Sequence, residues 1–358
     1  MQKKYWLYLL VCFGLHAQNT LAQTTSCAQT LRLARSTYDQ GRLHELPELL
    51  KNCLENGFTK QERVEAYKFL ALSYTYLEEP EKADEAMLKL LQTDHFFEAN
   101  EAVDPAEFIA LYKTFRTRPI FNLAAKLGPN VTFPSVTENY YVGIAASGSG
   151  KYTQQVGFQF GAAFEKDIFV KSKNSFLNRL TLAPEVFYAT HNFKYTSPTV
   201  FINDSTENSA ANGLAVYKQT WINLNIIVQY RIKNSIFNPY VAIGPGTSYI
   251  LNASTQLTLV PLAGSTVSGP NVDVTNSYNS IVFSMVGLAG IKIKLGSIYV
   301  TAEARYQYGL MNVINPSKRT NEESVFDYAA QFNNFKQSGA AVNVGVSYPV
   351  FSPRKNLK

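Results

Sequence analysis

From residue 119 to residue 351 apolar and polar side chains alternate with a period of two, the spacing of a β-strand whose two faces meet different surroundings. In SIYVTAEARYQYG one face carries Ile298, Val300, Ala302, Ala304, Tyr306 and Tyr308, and the other carries Tyr299, Thr301, Glu303, Arg305 and Gln307. WINLNIIVQYRI divides in the same way, with Ile222, Leu224, Ile226, Val228, Tyr230 and Ile232 against Trp221, Asn223, Asn225, Ile227, Gln229 and Arg231. Two further segments set Phe158, Phe160, Ala162 and Phe164 against Gln159 and Glu165, and Val342, Val344, Val346, Tyr348 and Val350 against Asn343, Gly345 and Ser347. Strand signals fall near 120–128, 155–166, 178–193, 215–232, 238–250, 279–295, 297–310 and 338–351, eight in all.

Alternation alone also describes a soluble sandwich, so the connections carry the decision. Long links (129–154, 194–214, 251–278 and 311–337) alternate strictly with short ones (167–177, 233–237 and 296). A transmembrane barrel entered from the periplasm has that arrangement, with short turns on one side and long loops on the other. The expected fold is therefore an all-β, eight-stranded antiparallel transmembrane β-barrel over 117–351, apolar outside and polar inside, followed by a tail at 352–358. Closure removes the edges that such strands would otherwise expose.

Before the strands the period changes. Leu31, Ala34 and Tyr38, then Leu46, Leu49, Leu50 and Cys53, recur at helical spacing with Gly41 and Gly57 as punctuation. A second pair, AYKFLALSYTYL and EKADEAMLKLL, places Leu70, Ala71, Tyr74, Ala83 and Met87 where a tetratricopeptide unit of roughly 34 residues has its small and aromatic packing positions. Residues 23–116 thus read as an all-α, tetratricopeptide-like domain of two helical hairpins, with a helix over 105–115 capping the stack through Phe108, Leu111, Tyr112 and Phe115. Pro119, after FRTRP, ends the helical part. Such a domain reads either as a docking module for another protein or as a spacer abutting the barrel.

The first 22 residues, MQKKYWLYLLVCFGLHAQNTLA, combine two lysines, an apolar core and small residues near Ala17 and Ala22, the form of a cleaved secretory signal. Its core is too short for a spanning helix, so any crossing falls to strands. Cleavage after Ala22 removes Lys3 and Lys4 and lowers the net charge from +6 to +4, which names no partner. The mature chain keeps two cysteines, Cys27 and Cys53, nearly symmetric about a turn at Gln40–Gly41. They are expected to face each other and form a disulfide, the alternative being two buried thiols. Aromatic residues are abundant, with 22 Tyr and 23 Phe, which suits girdles at the membrane interfaces.

A barrel of eight strands is narrow enough for side chains to fill it. Lys126, Glu185, Arg231, Lys292, Glu303 and Arg305 are all assigned to its interior, where unpaired charge is costly, and a paired network is expected. A gated path along the same residues is the other reading. His191 is the only histidine of this half, and no nucleophile elbow or zinc-binding run accompanies it. No catalytic residue, metal ligand or cofactor is therefore assigned, and no basic tract points to nucleic acid.

The chain resembles the PorT-like and OmpA-like outer-membrane β-barrel proteins of Gram-negative bacteria through the strand openings FNLAAKLGPN (121–130) and APEVFY (183–188) and the ending AVNVGVSYPVF. The joining segment DPAEFIALYKTFRTRP (104–119) is similar to versions that carry a preceding helical-repeat domain. The resemblance implies an outer-membrane location with the helical domain in the periplasm, contact with outer-membrane lipid and with a periplasmic or envelope protein, and a non-enzymatic role in envelope organisation, surface interaction or secretion. Transport of a small solute or lipid through the barrel is the alternative, and an outer-membrane hydrolase is a further one.

Overall fold

The computed structural model describes residues 21–140, 150–169, 174–204, 207–232, 237–261, 265–319 and 333–356; of the leader expected over 1–22, residues 1–20 lie outside them. The chain forms two units, one of residues up to Pro119 together with Phe351 onward, the other of Ile120–Val350.

The first unit is helical: α1 (Leu21–Asp39), α2 (Leu46–Glu55), α3 (Lys60–Tyr76), α4 (Pro80–Thr93) and α5 (Ala106–Lys113). Gly41, at φ 75°, permits the left-handed turn between α1 and α2. Thr59 begins α3 with a capping box, its hydroxyl accepting from the Glu62 N–H while Glu62 accepts from the Thr59 N–H. Leu31, Ala34, Leu46, Leu50, Leu70, Ala71, Met87, Leu90 and Phe108 bury one shared core. Cys27 and Cys53 are joined by a disulfide across α1 and α2, with Cα atoms 5.6 Å apart. Gly57, at φ 145°, packs so closely on Cys27 Sγ that a β-carbon there would clash with it.

The last residues of the chain belong to this unit. The Arg116 N–H donates to Arg354 O at 2.9 Å and the Asn356 N–H to Thr114 O at 2.8 Å, bracketing an antiparallel bridge between Phe115 and Lys355. Lys355 pairs with Asp84, and the Phe351 ring stacks on His95 at 5.2 Å and meets the edge of Phe96. The segment expected to be a simple tail is therefore a strap over the helices.

The second unit contains β1 (Phe121–Glu138), β2 (Lys151–Asp167), β3 (Leu180–Asp204), β4 (Glu207–Arg231), β5 (Phe237–Pro261), β6 (Val267–Asp273), β7 (Ile281–Leu295), β8 (Ile298–Gly309) and β9 (Asn334–Val350). Every pairing is antiparallel, and the ring β1–β2–β3–β4–β5–β7–β8–β9 closes through the registers Phe121↔Val350 and Trp221↔Ile250. The short β6 pairs only with the far part of β5. Eight strands thus form the barrel.

Three of the links expected to be long, 129–154, 194–214 and 251–278, are in large part strand. β3 continues to Asp204 and β4 resumes at Glu207, and each of these two strands and β5 is 25 residues long, whereas roughly 9–11 suffice to cross a bilayer. The reason is a reversal of polarity along the strands. Near the end bearing the short turns, Leu224, Ile226, Ile243, Phe160, Val344 and Tyr348 are exposed on the outside, and the inside is polar. Farther along, Asn192, Lys194, Asn252 and Gln256 point outward while Phe193, Tyr195, Tyr217 and Leu257 are buried inside. An apolar exterior suits hydrocarbon and a polar exterior suits water, so the second half extends beyond the apolar belt. Its interior holds a cluster of Phe193, Tyr195, Tyr217, Trp221, Tyr278 and Phe335, reinforced by Val274, Val313 and Ile314 from the connecting segments. Many aromatics expected at girdles therefore lie within the barrel.

Candidate functional site

Inside the belt the pleat delivers charged side chains from neighbouring strands to one level. Lys126 of β1 donates to Glu185 Oε1 of β3 at 2.6 Å and to Glu303 Oε2 of β8 at 2.9 Å. Arg305, two positions along β8 and so on the same face, donates to Glu185 Oε2 at 2.8 Å and Glu303 Oε1 at 2.7 Å. Both carboxylates thereby bridge the same two cations, and all four side chains are at most 7% exposed. Tyr240 OH and Asn343 Nδ2 also donate to Glu303, at 2.8 and 3.0 Å, and Gln159 Nε2 holds Asn343 Oδ1 at 2.8 Å. The Arg305 guanidinium lies 4.3 Å from the centre of the Phe187 ring.

Lys292 of β7 is held apart from this quartet. It pairs with Glu165 of β2, donates to Gln229 Oε1 at 3.3 Å and lies 5.0 Å from the centre of the Tyr240 ring. Arg231 pairs with Asp167 at 2.8 Å at the ends of β4 and β2 and is part-exposed. Of the six residues assigned to the interior, four therefore meet in one network, one joins a second buried pair and one sits at the rim. Glu165 and Asp167, the acidic partners, were not among the six. Alternation places Glu165 on the polar face, but its ion-pair partner comes from β7, a strand that does not neighbour β2, and their meeting is fixed by the ring closure. Lys126, Lys292 and Arg305 against Glu165, Glu185 and Glu303 leave this buried set without net charge.

Between the ions and the aromatic cluster lies a polar level. His191 shares a hydrogen bond with Thr132 Oγ1 at 2.9 Å and packs its ring 4.9 Å from Trp221. No carboxylate contacts it among the described residues, and no group of three His, Cys, Asp or Glu there has metal-binding geometry. The charged groups of this interior neutralise one another and, with the polar level, fill its space.

In the helical unit Leu70, Ala71, Ala83 and Met87 are buried, whereas Tyr74 is half-buried with the Lys82 ammonium 5.5 Å over its ring. Tyr38 packs on Phe69 at 5.3 Å, and burial, with Tyr76 nearby, pushes its hydroxyl up to about 12. No helix is long and apolar enough to cross a membrane among the described residues.

Solved structures similar to the barrel include three outer-membrane proteins. Neisserial surface protein A is 12% identical, matched over 64% of this chain and 96% of its own, with a TM-score of 0.27. Ail, the attachment invasion locus protein of Yersinia pestis, is 9% identical over 64% of this chain and 98% of its own, at 0.21. The outer membrane protease OmpT of Escherichia coli is 9% identical over 64% and 96%, at 0.25. No curated relative matches the chain. Residues 119–315, more than half of the sequence, match the outer membrane protein beta-barrel domain family, and with its closed antiparallel ring and apolar belt the chain belongs to that family.

Proposed function

We propose that this is a non-enzymatic outer-membrane protein whose barrel serves as an anchor and whose helical unit, a pair of tetratricopeptide-like hairpins in the periplasm, docks an envelope protein in the manner of a PorT-like barrel with a preceding repeat domain. The observation that carries the anchor reading is the filled interior. Lys126, Glu185, Glu303 and Arg305 occupy one level with their charges mutually satisfied, and an aromatic cluster occupies the next. A conducting path needs groups that exchange partners with a solute, whereas these hold one another. The docking reading rests on the disulfide-closed helical unit, which has a core of its own and is large relative to what an anchor alone requires.

The test is to recover the protein from the outer-membrane fraction and compare heated with unheated migration. Planar-bilayer conductance and a co-purification census of the full-length protein against a deletion of residues 23–116 complete it. The proposal expects heat-modifiable migration, a silent bilayer and a stoichiometric partner lost with the deletion. Steady conductance abolished by Lys126→Met would replace it with transport, and a complete absence of a partner would remove the docking role.

A further inference from the structure

Two concavities on the helical unit, with volumes of about 420 and 480 Å³, share Tyr67 and Lys89 and so form one trough over α3. The first is floored by Leu70 and Tyr74 between α2 and α4; the second opens toward Lys60 and Arg63. Charge is distributed unevenly. Residues 21–119 carry 16 acidic and 12 basic side chains, yet the trough is lined by five cations, Lys51, Lys60, Arg63, Lys82 and Lys89, against Glu55 and Glu85. Three of those cations hold surface ion pairs (Lys60–Asp94, Lys82–Glu79 and Lys89–Glu85) in which the lysine is about half exposed. Such pairs contribute little, so another carboxylate can displace them at small cost. Arg63 is less satisfied: one of its terminal nitrogens reaches Phe58 O at 3.4 Å, and its Nε is buried with no acceptor among the described residues.

We propose that this trough binds an extended acidic peptide segment of the docked protein, a reading that rests on the docking role proposed above. A lone anion would need only the Lys60–Arg63–Lys89 end, leaving the Tyr67–Leu70–Tyr74 floor unused. A peptide alternating acidic and apolar side chains supplies carboxylates to the cations and apolar groups to that floor. Lys89 and Tyr67, common to both concavities, are the central contacts.

The probe is a fluorescein-labelled octapeptide of alternating Glu and Leu, with the Lys/Leu octapeptide as its control, titrated by anisotropy against the full-length protein in detergent. Wild type is expected to bind the acidic probe at least tenfold more tightly than Arg63→Glu/Lys89→Glu does, with affinity falling as salt rises, while Lys113→Glu leaves it unchanged. If the charge reversal impairs the helical circular dichroism, Arg63→Gln/Lys89→Gln replaces it with the same expectation in weaker form. Equal binding by the variant, equal binding of the Lys/Leu peptide, or full displacement by equimolar inorganic phosphate would overturn the proposal. A partner that still co-purifies with Arg63→Glu/Lys89→Glu would overturn it too, while leaving the docking role intact.

Discussion

Removing the Lys126 ammonium tests the reading of the barrel interior most directly. Its side chain is wholly inaccessible and holds two carboxylates that are themselves inaccessible, Glu185 at 2.6 Å and Glu303 at 2.9 Å. Lys126→Met leaves Arg305 alone between them, so a neutral quartet becomes one with an uncompensated negative charge. Breaking a buried ion pair from one side costs about 3–5 kcal/mol, because the remaining charge has neither water nor partner. Lys126→Met/Glu303→Gln restores neutrality, with Arg305 facing Glu185, and the amide oxygen is still able to accept from Tyr240 and Asn343. The double variant is therefore expected to be more stable than Lys126→Met alone, with a coupling of about 1–3 kcal/mol. Urea unfolding in lipid vesicles reads this through Trp221, which is 2% exposed within the barrel; the other tryptophan, Trp6, falls in the first 22 residues, the segment expected to be cleaved. A loss below about 1 kcal/mol for Lys126→Met, or strict additivity in the double variant, would refute the claim that these charges form one closed network.

Three further outcomes are expected of the helical unit. Cys27→Ser/Cys53→Ser opens a loop of 26 residues and lowers stability by about 3.5 kcal/mol on the chain-entropy model, seen as an earlier loss of helical ellipticity that reductant reproduces in wild type; coincident melting curves would rule this out. Truncation after Ser352 removes both backbone bonds of the strap and costs the helices about 2 kcal/mol, measured in the same way, and an unchanged melt would show the strap to be incidental. Tyr38, pushed up to about 12 by burial and the neighbouring Tyr76, stays protonated in the folded unit after an unfolded tyrosine would have ionised. Its stabilising effect is complete below pH ~10 and is lost as pH rises from there toward 12, so Tyr38→Phe should remove one tyrosine from the absorbance rise at 295 nm near pH 12 and flatten the alkaline decline.

Much of this protein is written in local periods. Because successive strand side chains point to opposite faces, the alternation in 298–309 and 221–232 determines by itself which residues share a face. The same holds for the helical spacing that buries Leu46, Leu50, Leu70 and Met87, and for the placing of Cys27 and Cys53 about one turn. What no local period carries is which inward residues share a level. Lys126, Glu185 and Glu303 come from three strands, two of them reached in opposite directions around the ring, and their meeting depends on the register and on the β1–β9 closure. The exchange of polarity along β3, β4 and β5 was also hidden, since a strand that is apolar outside in lipid and apolar inside in water keeps the same period of two while its meaning reverses. Only the tertiary structure shows where that reversal falls, and only it returns Phe351–Asn356 to helices more than 230 residues earlier, because pairing across such a separation is set by the assembled chain and not by its neighbours in sequence.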